Sequence, residues 1–262
     1  MIDERAMERA ATYNRQLLLD NAKRNSVLEL WEVQRYGSDS YADADYVSVY
    51  GMRPADWYAA GVRLLGRTAV ECTRDVLGDA IGKDIAAIAT KAPRTSGVEV
   101  IDLFAGSGNT LYWILRHLPE ARGLGFEIDT AVFELTRRNL AALALPIEIL
   151  NADYRSGLAR IPLNTDELVV AFVAPPWGDA LSRAAGLDLR RTTPPIVEIV
   201  DAMFDRVGGG SVLCAIQVYE TVDPESLLDL KRRFDWSAVA LYRLNAPGQN
   251  HGVLLGTKGW TP

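Results

Sequence analysis

The stretch from Val98 to Thr110, VEVIDLFAGSGNT, constrains the fold of this chain more than any other. An apolar run long enough for a buried strand closes on Asp102 and breaks into a loop with glycines at 106 and 108. An amphipathic helical pattern follows at once. A strand, turn and helix of this kind is a ligand-binding unit. Glycine lets the loop turn sharply, and backbone N–H groups then meet a bound molecule at the positive end of the helix dipole. The loop reads as the anchor of a cofactor site.

Downstream of the linker KAPRTSG (Lys91 to Gly97), short apolar runs alternate with helical patterns, the signature of a parallel sheet wrapped by helices. The first strand is Val98 to Phe104. A helix follows with Leu111, Ile114, Leu115 and Leu118 on one face, stopped by Pro119. The second strand is Ala121 to Asp129, and after a helix from Thr130 to Ala144 the third is Pro146 to Leu150, ending in Asn151, Ala152 and Asp153. The fourth, ELVVAFVAPPWG, runs into two prolines; neither can donate to a ladder, so the strand stops near Ala174. A helix with Ile196, Ile199, Val200, Met203, Phe204 and Val207 on one face precedes the strand SVLCAIQV, and a last helix spans Pro224 to Arg233. The runs SAVALYRL and HGVLLGTKG, joined by NAPGQN, pair as an antiparallel hairpin that a pure dinucleotide-binding fold lacks.

Residues 1–94 form a helical extension and 95–262 the ligand-binding domain. Asp3 to Gln34 reads as one or two surface helices carrying Met7, Leu17, Val27, Leu28 and Trp31. The segment YGSDSYADADYVSVYGMRPADWY, Tyr36 to Tyr58, has no periodicity before Pro54 and reads as a loop able to close over a ligand. Its Tyr41, Tyr46, Tyr50, Trp57 and Tyr58 either line a planar substrate pocket or staple the extension to the core. Pro54 suits the first turn of a helix running to Arg67, and Leu77, Ile81, Ile85 and Ile88 mark the buried face of the next.

Composition narrows the function classes. The formal net charge of −6 repels polyanions, so a phosphate backbone is a disfavoured partner. Cys72 and Cys214 lie far apart and the two histidines, His117 and His251, supply no zinc-type spacing. No metal site is expected, and the cysteines and histidines read as structural. No apolar run approaches the roughly 18 residues of a membrane span and no signal peptide is visible, so a cytoplasmic protein is expected.

The order DLFAGSGNT, GFEID, NADY, APPWG and a closing hairpin resembles the class I S-adenosylmethionine-dependent methyltransferases. The Asn and Thr after the glycine loop, with PPWG after the fourth strand, are similar to the RNA cap guanine-N2 methyltransferase (trimethylguanosine synthase) family. The resemblance covers about Glu99 to Thr257 and touches the extension only at SVYGMRP. It implies an α/β fold with a Rossmann-like, seven-stranded mixed sheet, and S-adenosyl-L-methionine as cofactor with S-adenosyl-L-homocysteine as product. The nicotinamide alternative needs a third glycine where Leu111 stands, and it leaves PPWG unexplained.

The resemblance assigns a cofactor set of Asp102, Phe104, Ala105, Gly106, Gly108, Asn109, Thr110, Glu127, Ile128, Asp153 and Tyr154. In it Asp102 meets an ammonium, and Glu127, 21 residues after Gly106, accepts two ribose hydroxyls. Asp153 with Tyr154 meets the adenine amino group, while Ile128 packs on the ring. The catalytic element is Ala174, Pro175, Pro176 and Trp177. Carbonyls fixed by the proline rings orient an acceptor amine, and Trp177 stacks on a planar substrate together with Tyr46, Tyr50 and Trp57. The motif's first position, Ser in the cap family and Asn or Asp in enzymes that methylate adenine or cytosine amines, is Ala174 here. The acceptor atom therefore stays open between a nitrogen and an aromatic carbon. Arg183, Arg190 and Arg191 either meet a second guanine or form a solvated cluster. The acidic balance favours a small planar acceptor over RNA.

Overall fold

The computed structural model describes residues 12–93, 96–182, 184–247 and 249–262. At its centre is a seven-stranded sheet in the order β3-β2-β1-β4-β7-β9-β8. The strands are β1 (Val98–Asp102), β2 (Arg122–Glu127), β3 (Glu148–Asn151), β4 (Leu168–Val173), β7 (Val212–Tyr219), β8 (Trp236–Tyr242) and β9 (His251–Lys258). The first five to pair, β3 through β7, are parallel, and β9 lies antiparallel between β7 and β8. The mixed sheet and its terminal hairpin are those expected.

β4 is buried along its whole length, as a strand covered on both faces must be. Alternate residues supply the two cores. Val98, Val100, Val170, Phe172 and Leu213 face one side, and Ile101, Leu103, Val169, Ala171 and Cys214 face the other. The second face is covered by α9 (Tyr154–Arg160), α10 (Ile196–Val207) and α11 (Pro224–Lys231).

The first face is covered by α7 (Asn109–His117), α8 (Thr130–Ala142) and the N-terminal segment, so residues on both sides of the linker share one continuous core. That segment comprises α1 (Arg15–Leu19), α2 (Asn21–Arg24), α3 (Leu30–Tyr41), α4 (Pro54–Ala59), α5 (Gly66–Glu71) and α6 (Asp75–Ala89). Leu77, Ile81 and Ile85 are buried on the face of α6 that the periodicity marks. α6 also crosses α7 closely at Gly82, where a Cβ would stand 2.7 Å from the Trp113 carbonyl oxygen. Met7 lies outside the described residues.

Several boundaries move. α3 runs six residues into the stretch expected to be loop: Tyr36 and Gly37 are buried on it, and it closes only at Ala42, whose φ of 55° is left-handed and whose N–H donates to the Gly37 and Ser38 carbonyls. The helix expected from Pro54 to Arg67 is two helices, interrupted at Gly61, whose φ of 90° no α-helix admits. The sequence reading missed α9 and the two-residue strands β5 (Leu181–Ser182) and β6 (Gly186–Leu187), which pair antiparallel just past PPWG. No helix among the described residues is long and apolar enough to cross a membrane.

Candidate active site

The parallel register brings the strand tips level. Asp102 stands opposite Gly125 of β2 and Phe172 of β4, and Glu127 opposite Asn151 of β3. The chain order reverses between β1 and β4, and beyond such a switch point the helices diverge and leave a crevice.

The glycine loop lines it. Gly106 and Gly108 have φ of 50° and 72°, the left-handed region that glycine enters without strain. A Cβ on Gly106 would meet nothing nearer than the Phe104 carbonyl oxygen at 4.0 Å, so the loop faces open space. Ala105 is anchored below, its N–H donating to the Phe126 carbonyl at 2.8 Å.

Asp102 is 1% exposed and accepts the Phe104 N–H at 3.1 Å. Among the described residues it has no cationic partner. Burial pushes its carboxyl up to about 7, with the Phe104 N–H working against the rise and the Glu127 charge adding to it. A buried carboxylate of this kind either takes up a proton or meets a cation. Glu127 accepts the N–H groups of Gly106 at 3.0 Å and Asp129 at 2.7 Å. Burial raises it against those two bonds and the Arg67 charge. It thus ties the glycine loop to the tip of β2, and Arg67 joins the tie through Asp129 at 2.6 Å.

Ile128, next along, is 68% exposed, an apolar side chain left uncovered at the tip of β2. Asp153 caps α9, accepting the Arg155 N–H at 2.9 Å. Tyr154 departs from the expectation that it meets an adenine amino group. It is 2% exposed, its ring lies against Phe104 at 5.5 Å, and its buried hydroxyl has no partner. As the first residue of α9 it turns into the core beneath that helix.

Of two further residues of the expected cofactor set, Asn109 is committed elsewhere. The Asn109 amide donates to the Thr73 carbonyl at 2.7 Å and to Asp75 at 3.1 Å, and its oxygen accepts the Tyr50 N–H at 2.7 Å. Thr110 is buried in the first turn of α7. Asn109 therefore clamps the extension onto the glycine loop rather than facing a ligand.

The aromatic residues expected to line a substrate pocket divide. Trp57 is fully buried, its indole N–H donating to the Val47 carbonyl at 2.9 Å. Tyr50 is 4% exposed, with φ of 57° and its hydroxyl donating to the Ser107 carbonyl. Both staple the extension to the core. Tyr46 is half-buried, stacked on Tyr41 at 3.5 Å and covered by the Arg74 guanidinium at 4.4 Å.

Past the tip of β4, Pro175 is buried, Ala174 and Trp177 are half-buried, and Pro176 is exposed. The Trp177 indole leans on Tyr219 at 6.2 Å and on His251 at 5.1 Å. These two stand opposite each other in the β7–β9 ladder, at the same edge of the sheet as the other strand tips. His251 bonds Gln217, which bonds Thr73. The sequence reading missed this group, and nothing local signals it. By contrast His117 is structural as expected, bonded to Asp79 at 2.8 Å and stacked on Trp113. Arg190 is held by Asp188, Asp223 and Glu225, Arg191 is exposed, and Arg183 lies outside the described residues.

No protein-family model matches the chain, and no curated protein does. Solved structures do. The METTL16 methyltransferase domain superposes with a TM-score of 0.50 and 13% identity, over 74% of this chain and 72% of that one. A candidate class I S-adenosylmethionine-dependent methyltransferase of Listeria monocytogenes gives 0.48 and 15%, over 70% of this chain and 60% of its own length. The TYW2 protein of P. horikoshii, in complex with MeSAdo, gives 0.45 and 17%, over 82% and 73%. At such identities the likeness is one of architecture, and the chain has the Rossmann-like fold of the class I S-adenosylmethionine-dependent methyltransferases.

Proposed function

We propose that this chain is an S-adenosylmethionine-dependent methyltransferase that methylates a nitrogen of a planar heteroaromatic small molecule. The observation that carries the reading is Asp102, a carboxylate buried at the tip of β1, without a cationic partner among the described residues, beside a glycine loop that faces open space. Asp102 would hold the ammonium of the methionine moiety, Glu127 the ribose hydroxyls, and the exposed Ile128 one face of the adenine. When bound, the cofactor supplies a methyl group already activated on a positively charged sulfur.

What the chain must add is position and a dry site. Ala174 offers no side-chain acceptor, so the carbonyls of Ala174 and Pro175 would take N–H hydrogens at the acceptor nitrogen, exocyclic or in the ring, and orient it toward the methyl group. The rigid proline rings keep those carbonyls in place. The half-exposed indole of Trp177, braced by Tyr219 and His251, is suited to stack on the ring.

Calorimetry with S-adenosylhomocysteine and transfer of a labelled methyl group to a panel of planar nitrogen heterocycles, amino- and oxo-substituted, test the reading together. Trp177→Ala is expected to lower kcat/KM at least about 100-fold and to leave the S-adenosylhomocysteine Kd within about threefold. Equal loss of both would remove Trp177 as a substrate platform. Glu127→Ala is expected to weaken cofactor binding at least about tenfold, since it deletes charge-assisted hydrogen bonds. Wild-type protein that takes up no S-adenosylhomocysteine would overturn the assignment as a whole.

A further inference from the structure

We propose that His251 positions the methyl acceptor by donating its Nε2–H to a ring carbonyl oxygen, so that the site takes oxo-substituted heteroaromatic rings in preference to their amino counterparts. This rests on reading the crevice as a methyl-transfer site, and it assigns the substrate class.

Three observations converge. The imidazole lies 5.1 Å from the Trp177 indole at an interplanar angle of 47°, so it flanks the indole on which a ring would stack. The other nitrogen is already engaged, Nδ1 standing 2.8 Å from the Gln217 amide nitrogen. The Gln217 oxygen lies 3.3 Å from the Thr73 hydroxyl, and the amide nitrogen faces the imidazole. An amide N–H can only donate, so Nδ1 accepts and the ring proton sits on Nε2. Finally, Nε2 has no protein partner among the described residues. It is not a buried orphan either, because the Tyr154 hydroxyl alone has that status among them. Nε2 therefore keeps accessible surface in a ring that lies beside Trp177.

The ring is neutral at physiological pH. Burial pushes its pKa down to about 4, helped by the charges of Arg15 and Arg74 and opposed by Glu220. A neutral N–H selects by hydrogen bonding: it rewards an oxygen lone pair, and an amino group in the same place leaves two donors facing each other.

The tautomer and the preference are measured separately. In protein labelled with 15N-histidine, His117→Gln assigns the two histidine signals, and His251 should show the Nε2–H tautomer from pH 6 to 8. An Nδ1–H tautomer overturns the proposal. Calorimetry at saturating S-adenosylhomocysteine then compares hypoxanthine with adenine and uracil with cytosine. The oxo member of each pair should bind about tenfold more tightly, its binding should shift the Nε2–H proton downfield, and the preference should vanish in His251→Phe. His251→Gln, which keeps an N–H at similar reach, should retain it. Equal affinities, no binding of any of the four, or a preference that survives in His251→Phe overturns the proposal while S-adenosylhomocysteine still binds. Failure of S-adenosylhomocysteine itself to bind points instead to the methyltransferase reading, which falls first.

Discussion

Asp102 is costly to the folded chain when nothing is bound. Its carboxyl ordinarily ionises near 3.8, and burial moves it to about 7 in the folded state. Between those values the folded protein binds a proton that the unfolded chain has lost. Stability therefore falls as pH rises through that window. Asp102→Asn keeps an acceptor for the Phe104 N–H and removes the charge, so the ligand-free variant should melt about 3–6 °C above wild type at pH 8, roughly 1–2 kcal/mol. At pH 4 the two should melt together. A ligand cation reverses the balance by ionising the carboxyl. Binding of S-adenosylhomocysteine at pH 7 should therefore release about half a proton, seen as a dependence of the calorimetric heat on the buffer's ionisation enthalpy. The release should disappear in Asp102→Asn. Wild-type binding without proton exchange would mean that Asp102 meets no cation.

At the scale of elements, what was legible in the sequence was whatever buries a periodic face. β4 could be read because a strand covered on both sides is apolar throughout, and α10 because its apolar residues recur at helical spacing. PPWG marked the end of β4 because proline cannot continue a ladder. The contacts that join elements were not legible. Asp75 is met by Trp113 at 2.7 Å and Asn109 at 3.1 Å, partners 38 and 34 residues away, and each looks like an ordinary polar residue in its own neighbourhood. His251 likewise meets Trp177 only because β9 folds back beside β7. The clamp has a measurable strength. Asn109→Ala removes two donors and an acceptor at buried sites, and it leaves Asp75, already raised by burial, with fewer N–H partners. The cost should be about 3 kcal/mol, or about 6–12 °C in Tm. Because the same clamp seats Tyr50 against the Ser107 carbonyl, the glycine loop should loosen too, and amide exchange at Ser107 and Gly108 should accelerate. A variant as stable as wild type would show that the extension is held by its apolar contacts alone.

For the molecule as a whole, charge is what bears on the choice between a small acceptor and a polymer. A protein that tracks a phosphate backbone presents cations free to replace counterions. This chain carries a net charge of −6, and many of its surface cations are spoken for. The open depression of about 560 Å³ that contains Arg190, Arg232 and Arg233 illustrates this. Arg190 is bound by three carboxylates, Arg232 by Asp229, and Arg233 by both oxygens of Asp201. Arg155 is paired with Glu198 and Arg122 with Glu99 and Glu167. Such pairs contribute little stability at the surface, but they cancel the field a polyanion would follow. Fluorescence anisotropy with a labelled single-stranded RNA of about 20 nucleotides in 100 mM salt should therefore give a Kd weaker than about 10 µM, at the non-specific level. S-adenosylhomocysteine should not strengthen it. A submicromolar Kd that collapses with salt would mean that phosphates are contacted in spite of the net charge, and the acceptor would then be sought in RNA.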